Sequence, residues 1–449
     1  MSKGARALKQ AGRHKAPGKG QGTGIWSDCK TRTAHKRPMA RTRLTARSFT
    51  VRPGPYNAGM AYDICIRGAG IVGRSLALLL ARERLRVALV EREPSPGQGT
   101  DVRAYSLNAT ARQLLEALRC WPESPAITPV KSMQVQGDAG GMVCFDTLDQ
   151  GTPSLNWMVD VPVLEERLAA AVSFQPLIEV LREPVPAPLT VVCEGRASQT
   201  RAELGVGFEI THYEQHALAA RLQCERPHGG VARQWFRFGP APHLQEPQAE
   251  ILALLPMGGE DGHEVALVWS VHPARAAELA ALDATAFAHE LETACSSALG
   301  RMQLHSDRAL WPLQLARASR WVGAMPGSAD RSFALAGDAA HAMHPLAGQG
   351  LNVGLGDVHE LARVIREKEF WRPLNDLKLL RRYERARATD VLSMGLMTDG
   401  LQRLFSHTGA LWPQLRNWGL NGFDRCSPIK HWMTRHAMGA VSDSGKTSA

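Results

Sequence analysis

The chain has 449 residues, 44% hydrophobic and 21% charged, which fits two or three domains of an ordinary globular protein with ample length for a large core. No apolar run approaches the roughly 18 residues that cross a bilayer; the longest, at 76–81 and 251–255, fit a buried helix turn and a buried strand. The net charge of +10 is no sign of a nucleic-acid partner, because residues 1–60 carry 14 Lys and Arg against one acid, Asp28, and residues 61–449 carry 39 basic against 42 acidic side chains.

Residues 1–59 show no sustained apolar period and are expected to form a disordered basic leader. Three readings of that leader stay open: a dispensable or spurious start ahead of Met60, an Arg-rich targeting segment, or a basic interaction tail. From Tyr62 the pattern sharpens. Residues 62–67 predict a strand, 71–83 a helix and 86–91 a second strand, Arg-Val-Ala-Leu-Val-Glu. Residues 110–118 read as helix, and 131–160, alternating around Gly137, Gly140 and Gly141, as hairpins. Val161, Leu164, Leu168 and Val172 recur at helical spacing, and 189–193 reads as a strand. Residues 205–272 alternate polar with apolar and aromatic side chains, which predicts an antiparallel sheet. Residues 274–300 read as helical, 332–336 as a strand, and a long helix is expected from about Gly350. After Lys378 the chain reads as mostly helical, with 381–387 as a solvated helix face.

The eight cysteines, at 29, 65, 120, 144, 193, 224, 295 and 426, include no C-x-x-C pair. They read as reduced core residues, not as a disulfide framework. His341 and His344 form H-x-x-H, but no third ligand is evident nearby and no metal is expected.

Gly68-Ala69-Gly70-Ile71-Val72-Gly73 is G-x-G-x-x-G between a strand and a helix, and Glu91 ends the next strand 18 residues after Gly73. Gly68 permits the tight turn, Gly70 lets a pyrophosphate approach the backbone, and Gly73 lets the helix lie close on the sheet. The helix N-terminus offers free N–H groups to phosphate. Glu91 would accept hydrogen bonds from ribose hydroxyls, and an acid there disfavours a 2′-phosphate. FAD and NAD both satisfy this motif.

A second stretch runs from Phe333 to Asp357. An apolar strand ends in Gly337-Asp338, a Gly-rich loop carrying Pro345 follows, and Gly348-Gln349-Gly350 opens a helix whose face is Leu351, Leu355, Val358, Ala362 and Ile365. Bare amides at that helix N-terminus suit the negative N1–C2=O edge of a reduced flavin. This stretch resembles the Gly-Asp motif of class A flavoprotein monooxygenases, the para-hydroxybenzoate hydroxylase fold, and within them the ubiquinone-biosynthesis hydroxylase family; the likeness covers nearly all of 61–440.

The resemblance implies an α/β fold: a Rossmann-like FAD-binding domain (60–130, 155–204 and 315–370), an antiparallel-sheet substrate domain (131–154 and 205–314), C-terminal helices (371–440) and a tail (441–449). It implies that Asp338 binds the ribityl chain and that Pro345, Gly348, Gly350, Leu351 and Asn352 lie along the isoalloxazine ring. Asp101-Val102-Arg103-Ala104-Tyr105-Ser106-Leu107 resembles the family's Arg-Ala-x-x-Leu segment, whose Arg, here Arg103, reaches toward the cofactor. The expected FAD-binding set is therefore Gly68, Gly70, Ile71, Val72, Gly73, Glu91, Arg92, Arg103, Gly337, Asp338, Pro345, Gly348, Gly350, Leu351 and Asn352, with no catalytic acid or base. Glu194-Gly195-Arg196-Ala197-Ser198-Gln199-Thr200-Arg201 resembles the family's Asp-Gly-x-x-Ser-x-x-Arg motif, which touches FAD and transient NAD(P)H; the spacing is intact and it reads as a retained motif, with Glu194 in place of Asp adding a methylene that bears on nicotinamide handling.

The implied activity is hydroxylation of an aromatic ring, a prenylated phenol of ubiquinone biosynthesis, through a flavin C4a-hydroperoxide, with O2 and transient NAD(P)H as co-substrates. The substrate is expected between the flavin and the inner face of the 205–272 sheet. A cytoplasmic protein with at most peripheral membrane contact is expected, with other quinone-biosynthesis proteins as partners. Two alternatives stay open: another flavoenzyme of the same fold, a prenyl-lipid reductase or a halogenase, although the W-x-W-x-I-P signature of flavin halogenases is absent; and a non-catalytic flavoprotein-like subunit of a quinone-biosynthesis complex.

Overall fold

The computed structural model describes residues 61–92, 102–137, 140–147, 151–239, 248–342, 350–389 and 391. The expected leader, and everything after 391 in the expected C-terminal helices and tail, lie outside them.

A six-stranded sheet carries the first strand, Ile64–Arg67, near its centre. Its order is Val322–Ala324, Ser332–Leu335, Leu189–Val192, Ile64–Arg67, Val87–Val90, Ile178–Leu181. All pairs are parallel except Val322–Ala324 with Ser332–Leu335. Val87–Val90 and Leu189–Val192 are buried along their whole length, which is why Val87–Val90 is an unbroken apolar run and Leu189–Val192 is broken only by Thr190. The Ile71–Arg82 helix, the Val161–Ser173 helix and the Gly350–Arg366 helix share one core with this sheet.

The second layer is a nine-stranded, mostly antiparallel sheet. Its path is His341–Ala342, Ala309–Ala318, Phe208–Cys224, Glu264–Val271, Gln248–Met257, Val231–Gly239, Ser132–Gln136, Met142–Asp146, with Met302–Leu304 joined to Phe208–Cys224. Its strands alternate. Leu218, Leu222, Trp235, Leu252, Leu254, Leu267 and Trp269 pack on the two helices Pro273–Ala281 and Ala284–Ala294. The other face turns toward the first layer. A small three-stranded sheet, Ala104–Leu107, Asn156–Asp160 and Ile127–Val130, completes the fold.

Several expectations shift in detail. The helical stretch expected over 274–300 is two helices, because the Asp283 side chain accepts the Ala286 N–H at 2.8 Å and starts a new helix. The hairpins expected over 131–160 are one hairpin, Ser132–Gln136 with Met142–Asp146, whereas Asn156–Asp160 joins a different sheet. The 381–387 segment is solvated on one side only: Tyr383 is fully buried and donates to the Leu335 carbonyl, Glu384 accepts from the Trp321 N–H, and Arg387 turns inward. Cys65, Cys120, Cys224 and Cys295 are buried thiols.

Candidate active site

Gly68, Glu91, Cys193 and Gly337 each follow the carboxyl end of a parallel strand, and those four strands are neighbours. Ligands of open α/β sheets bind along that edge.

The glycine spacing has steric causes here. Gly68 adopts φ +109°, and a side chain on it would meet the Cys193 carbonyl at 2.5 Å. A side chain on Gly73 would lie 1.9 Å from the Gly68 carbonyl oxygen, so this residue lets the helix start against the turn. Gly70, by contrast, has open space where a Cβ would be, and it caps the helix without any side-chain hydrogen bond. The first N–H groups of that helix therefore face an open cavity rather than a protein acceptor. Glu91 holds Arg74 through Oε1 at 2.6 Å. Its other oxygen makes no hydrogen bond among the described residues. Arg74, which immediately follows the glycine motif, was not anticipated.

The second half of the site is built by the Gly337-Asp338 turn. The Asp338 side chain is exposed, but to the cavity: protein surrounds it elsewhere and burial raises its carboxyl above the usual range, against the pull of His341, Arg196 and Arg103. Its carboxylate has no hydrogen-bond partner among the described residues. An acceptor without a protein donor at the cavity wall fits a hydroxylated chain such as the ribityl of FAD.

Beneath it lies a buried network that the sequence reading did not assign. Asp357, at zero exposure, accepts from the Gly337 N–H at 2.8 Å, from His341 Nε2 at 2.7 Å and from Arg387 Nε at 2.8 Å. Burial alone would raise this carboxyl; His341 and Arg387 outweigh it and hold it below its ordinary value. His341 is thus a hydrogen-bond partner of Asp357, its ring centroid 5.0 Å from that of Trp321 and tilted 38° to it. No metal-binding cluster occurs among the described residues, and His344 lies outside them. The signal for Asp357 was one acid in an otherwise apolar stripe, between Leu355 and Val358.

The Gly350–Arg366 helix crosses close to the turn. A Cβ on Gly354 would sit 3.0 Å from Val72 Cγ2 and 3.4 Å from the Gly337 Cα. Gly350 and Leu351 line the cavity, as do Gly70, Ile71, Val72, Arg103, Gly337 and Asp338. Asn352 does not. Its amide donates to the Ser106 carbonyl at 2.7 Å and accepts from the Asn108 N–H at 3.0 Å, tying the helix to the Arg103 segment. Arg92 also lies off the cavity, paired with Glu194 at 3.4 Å and Gln199 at 3.3 Å. Pro345, Gly348 and Asp101 lie outside the described residues.

Arg103 reaches the cavity from the 102–107 segment, near Tyr105 and 3.9 Å from Glu165. Its backbone is gripped from the large sheet: Arg221 donates to the Val102 carbonyl at 3.0 Å and to the Arg103 carbonyl at 2.8 Å. Glu194 closes its loop despite the extra methylene, accepting from Ser198 Oγ at 2.8 Å and from Thr200 Oγ1 at 2.7 Å. These contacts keep the loop closed with Glu in place of Asp. Burial opposes ionisation of Glu194, and donation from Thr200 and Ser198 with the charge of Arg67 still holds it below the usual range.

The Gly70 helix start, the Arg103 segment, the Gly337-Asp338 turn and the Gly350 end of the long helix open into one cavity of about 640 Å³, which Gly68, Gly73 and Glu91 do not line. Its far wall is the inner face of the large sheet, where Ala219, Ala232, Ala253 and Ala266 leave space, with Val130, Met133, Leu155, Met158 and Leu255 beside them. A wall built from the two glycine motifs and an apolar wall thus share one chamber of a size usual for small-molecule sites.

Known proteins match this architecture. The chain matches the FAD binding domain family over residues 179–392 and the FAD dependent oxidoreductase family over 63–125. It is 31% identical over 414 residues to ubiquinone hydroxylase UbiL of Rhodospirillum rubrum, covering 86% of this chain and 91% of that protein. It is 29% identical to the 3-demethoxyubiquinol 3-hydroxylase of Escherichia coli, covering 84% of this chain and 98% of that one. In fold it is similar to p-nitrophenol 4-monooxygenase PnpA of Pseudomonas putida, with a TM-score of 0.64 at 16% identity over 85% of this chain and 99% of that one.

Proposed function

The chain belongs to the ubiquinone hydroxylases, a family of FAD-dependent monooxygenases, and on that premise we propose that it hydroxylates the aromatic ring of a prenylated phenol intermediate of ubiquinone biosynthesis, with O2 and NAD(P)H as co-substrates. The observation that carries the reading is the single chamber with an FAD wall on one side and an apolar sheet face on the other. Bound there, FAD supplies the activation of O2, one atom of which enters the ring while the other leaves as water.

The protein's part is holding and shielding. The Gly70 helix N-terminus would take the pyrophosphate, Glu91 the adenosine ribose and Asp338 the ribityl hydroxyls. The Gly350 helix would present its N-terminal amides to the ring system. Asp357 fixes the Gly337 amide and, through it, the direction of Asp338. The alanine-rich face excludes water and leaves room for a ring with an apolar tail. Contact with membrane is at most peripheral in this reading; no helix of the described residues is long and apolar enough to cross one.

Deleting the gene tests the reaction and its position together. A quinone precursor lighter by one oxygen should accumulate, and its missing hydroxyl identifies the carbon. Unchanged quinone content in the deletion strain would refute the pathway assignment. Purified protein without flavin absorption that fails to take up FAD would refute the enzyme itself.

A further inference from the structure

The apolar wall of the chamber carries two polar side chains that the fold does not use. Gln234 is 8% exposed and Ser270 is 3% exposed. Both line the cavity, and neither side chain makes a hydrogen bond among the described residues. Their polar atoms reach the open cavity, so a ligand that covers them without offering a hydrogen bond leaves them unpaired. Asn156 of the small sheet also lines the cavity and leaves its Oδ1 buried without a partner among the described residues, and Asp338 and Arg103 belong to the cofactor side.

Their placement follows from register. Ala219, Val268, Ala253 and Gln234 are successive partners across four strands. Ala217, Ser270, Ile251 and Phe236 form the next row on the same face, two residues along. Gln234 and Ser270 are thus two strands and two residues apart, about 12 Å between Cα atoms at ordinary strand spacing. Ala253 and Ile251 lie between them. The floor between them is apolar, and the cavity above it is open to a ligand held between their polar ends.

We propose that Gln234 and Ser270 are specificity-determining residues that hold oxygen substituents on opposite sides of the substrate ring, so that the enzyme selects an already oxygenated prenylphenol over a bare prenylarene. A hydroxyl meets the Gln234 amide, which both donates and accepts; an ether or second hydroxyl oxygen meets the Ser270 hydroxyl. An unoxygenated ring leaves both groups unpaired in the complex, and a site built on such bonds rejects it strongly. This selectivity rests on the proposed ring hydroxylation, and its test separates the two.

The FAD-loaded full chain and its Q234M and S270A variants are titrated with 4-methoxy-2-prenylphenol and with prenylbenzene. Binding is read from the change in flavin absorption and, independently, by calorimetry. The wild type should bind the oxygenated probe at least tenfold tighter. Each variant should lose most of that preference through weaker binding of the oxygenated probe, keeping its affinity for prenylbenzene and its FAD content. Variants that keep the full preference would overturn the assignment. So would a loss of FAD, or an equal weakening for both probes, either of which makes these side chains part of the floor's integrity. A wild type that discriminates in binding yet forms no hydroxylated product would refute the hydroxylase reading while upholding the recognition pair.

Discussion

Asp357 and Asp338 stand 19 positions apart in the chain and do opposite things with the same functional group. Asp357 is sealed and fully donated to; removing its charge strands His341 and Arg387 in the core. D357N should therefore cost about 3–5 kcal/mol of stability, seen as a lower urea midpoint. Its folded-state carboxyl lies below the ordinary value because His341 and Arg387 overcome the effect of burial. The stabilisation is thus complete above the unfolded value of about 3.9 and fades as pH falls through the lower folded value; D357N should flatten that acid limb of a stability–pH curve. Asp338 has no protein donor, so D338A should leave the apoprotein's urea midpoint unchanged or higher. FAD affinity should fall about 10- to 100-fold, the equivalent of one lost hydrogen bond to a charged acceptor, measured by fluorescence titration. Asp338 was legible because it ends an apolar strand inside a long motif. The role of Asp357 was not, since its partners His341 and Arg387 lie 16 residues before and 30 after it and meet only on folding.

Among the elements, two close helix approaches set the site. G73A places a methyl 1.9 Å from a backbone oxygen that has no freedom to retreat. The turn must open, and the variant should purify without bound FAD, checked by its visible spectrum. N352A removes both hydrogen bonds from the Gly350 helix to the Ser106–Asn108 strand end. About 1–3 kcal/mol should go with the buried groups left unpaired, measured by urea unfolding. Strands and helices of this region were readable from period and from unbroken apolar runs. Pairing was not: Ser132–Gln136 runs parallel to Val231–Gly239, about a hundred residues on, and alternation reports which face is buried without naming the neighbour. Likewise, an apolar stripe over 274–300 does not show where one helix stops, and Asp283 decides it by capping the next.

For the whole molecule, the chamber exists because alanines occupy the centre of a broad sheet whose back is filled by leucine and tryptophan. A253L adds three carbons at the middle of that floor, far from every FAD motif. Overpacking of the sheet is not at issue, since the new atoms enter open space. Flavin content should stay at the wild-type level while kcat/KM for a prenylated phenol falls at least tenfold in steady-state assays. The sequence made both modules recognisable, one by its phosphate-binding glycines and the other by alternation, but a void between them has no pattern of its own. It arises only when Ala219, Ala232, Ala253 and Ala266, from four strands, come to line one cavity. Register also bears on synthesis. The parallel sheet sets Ser332–Leu335 beside Leu189–Val192, one strand away from Ile64–Arg67, so its carboxyl edge stays incomplete until nearly three quarters of the polypeptide has left the ribosome. Nascent chains stalled before residue 332 should emerge colourless in a flavin-supplemented translation extract, and colour should develop only on chains long enough to return that late strand to its early neighbours.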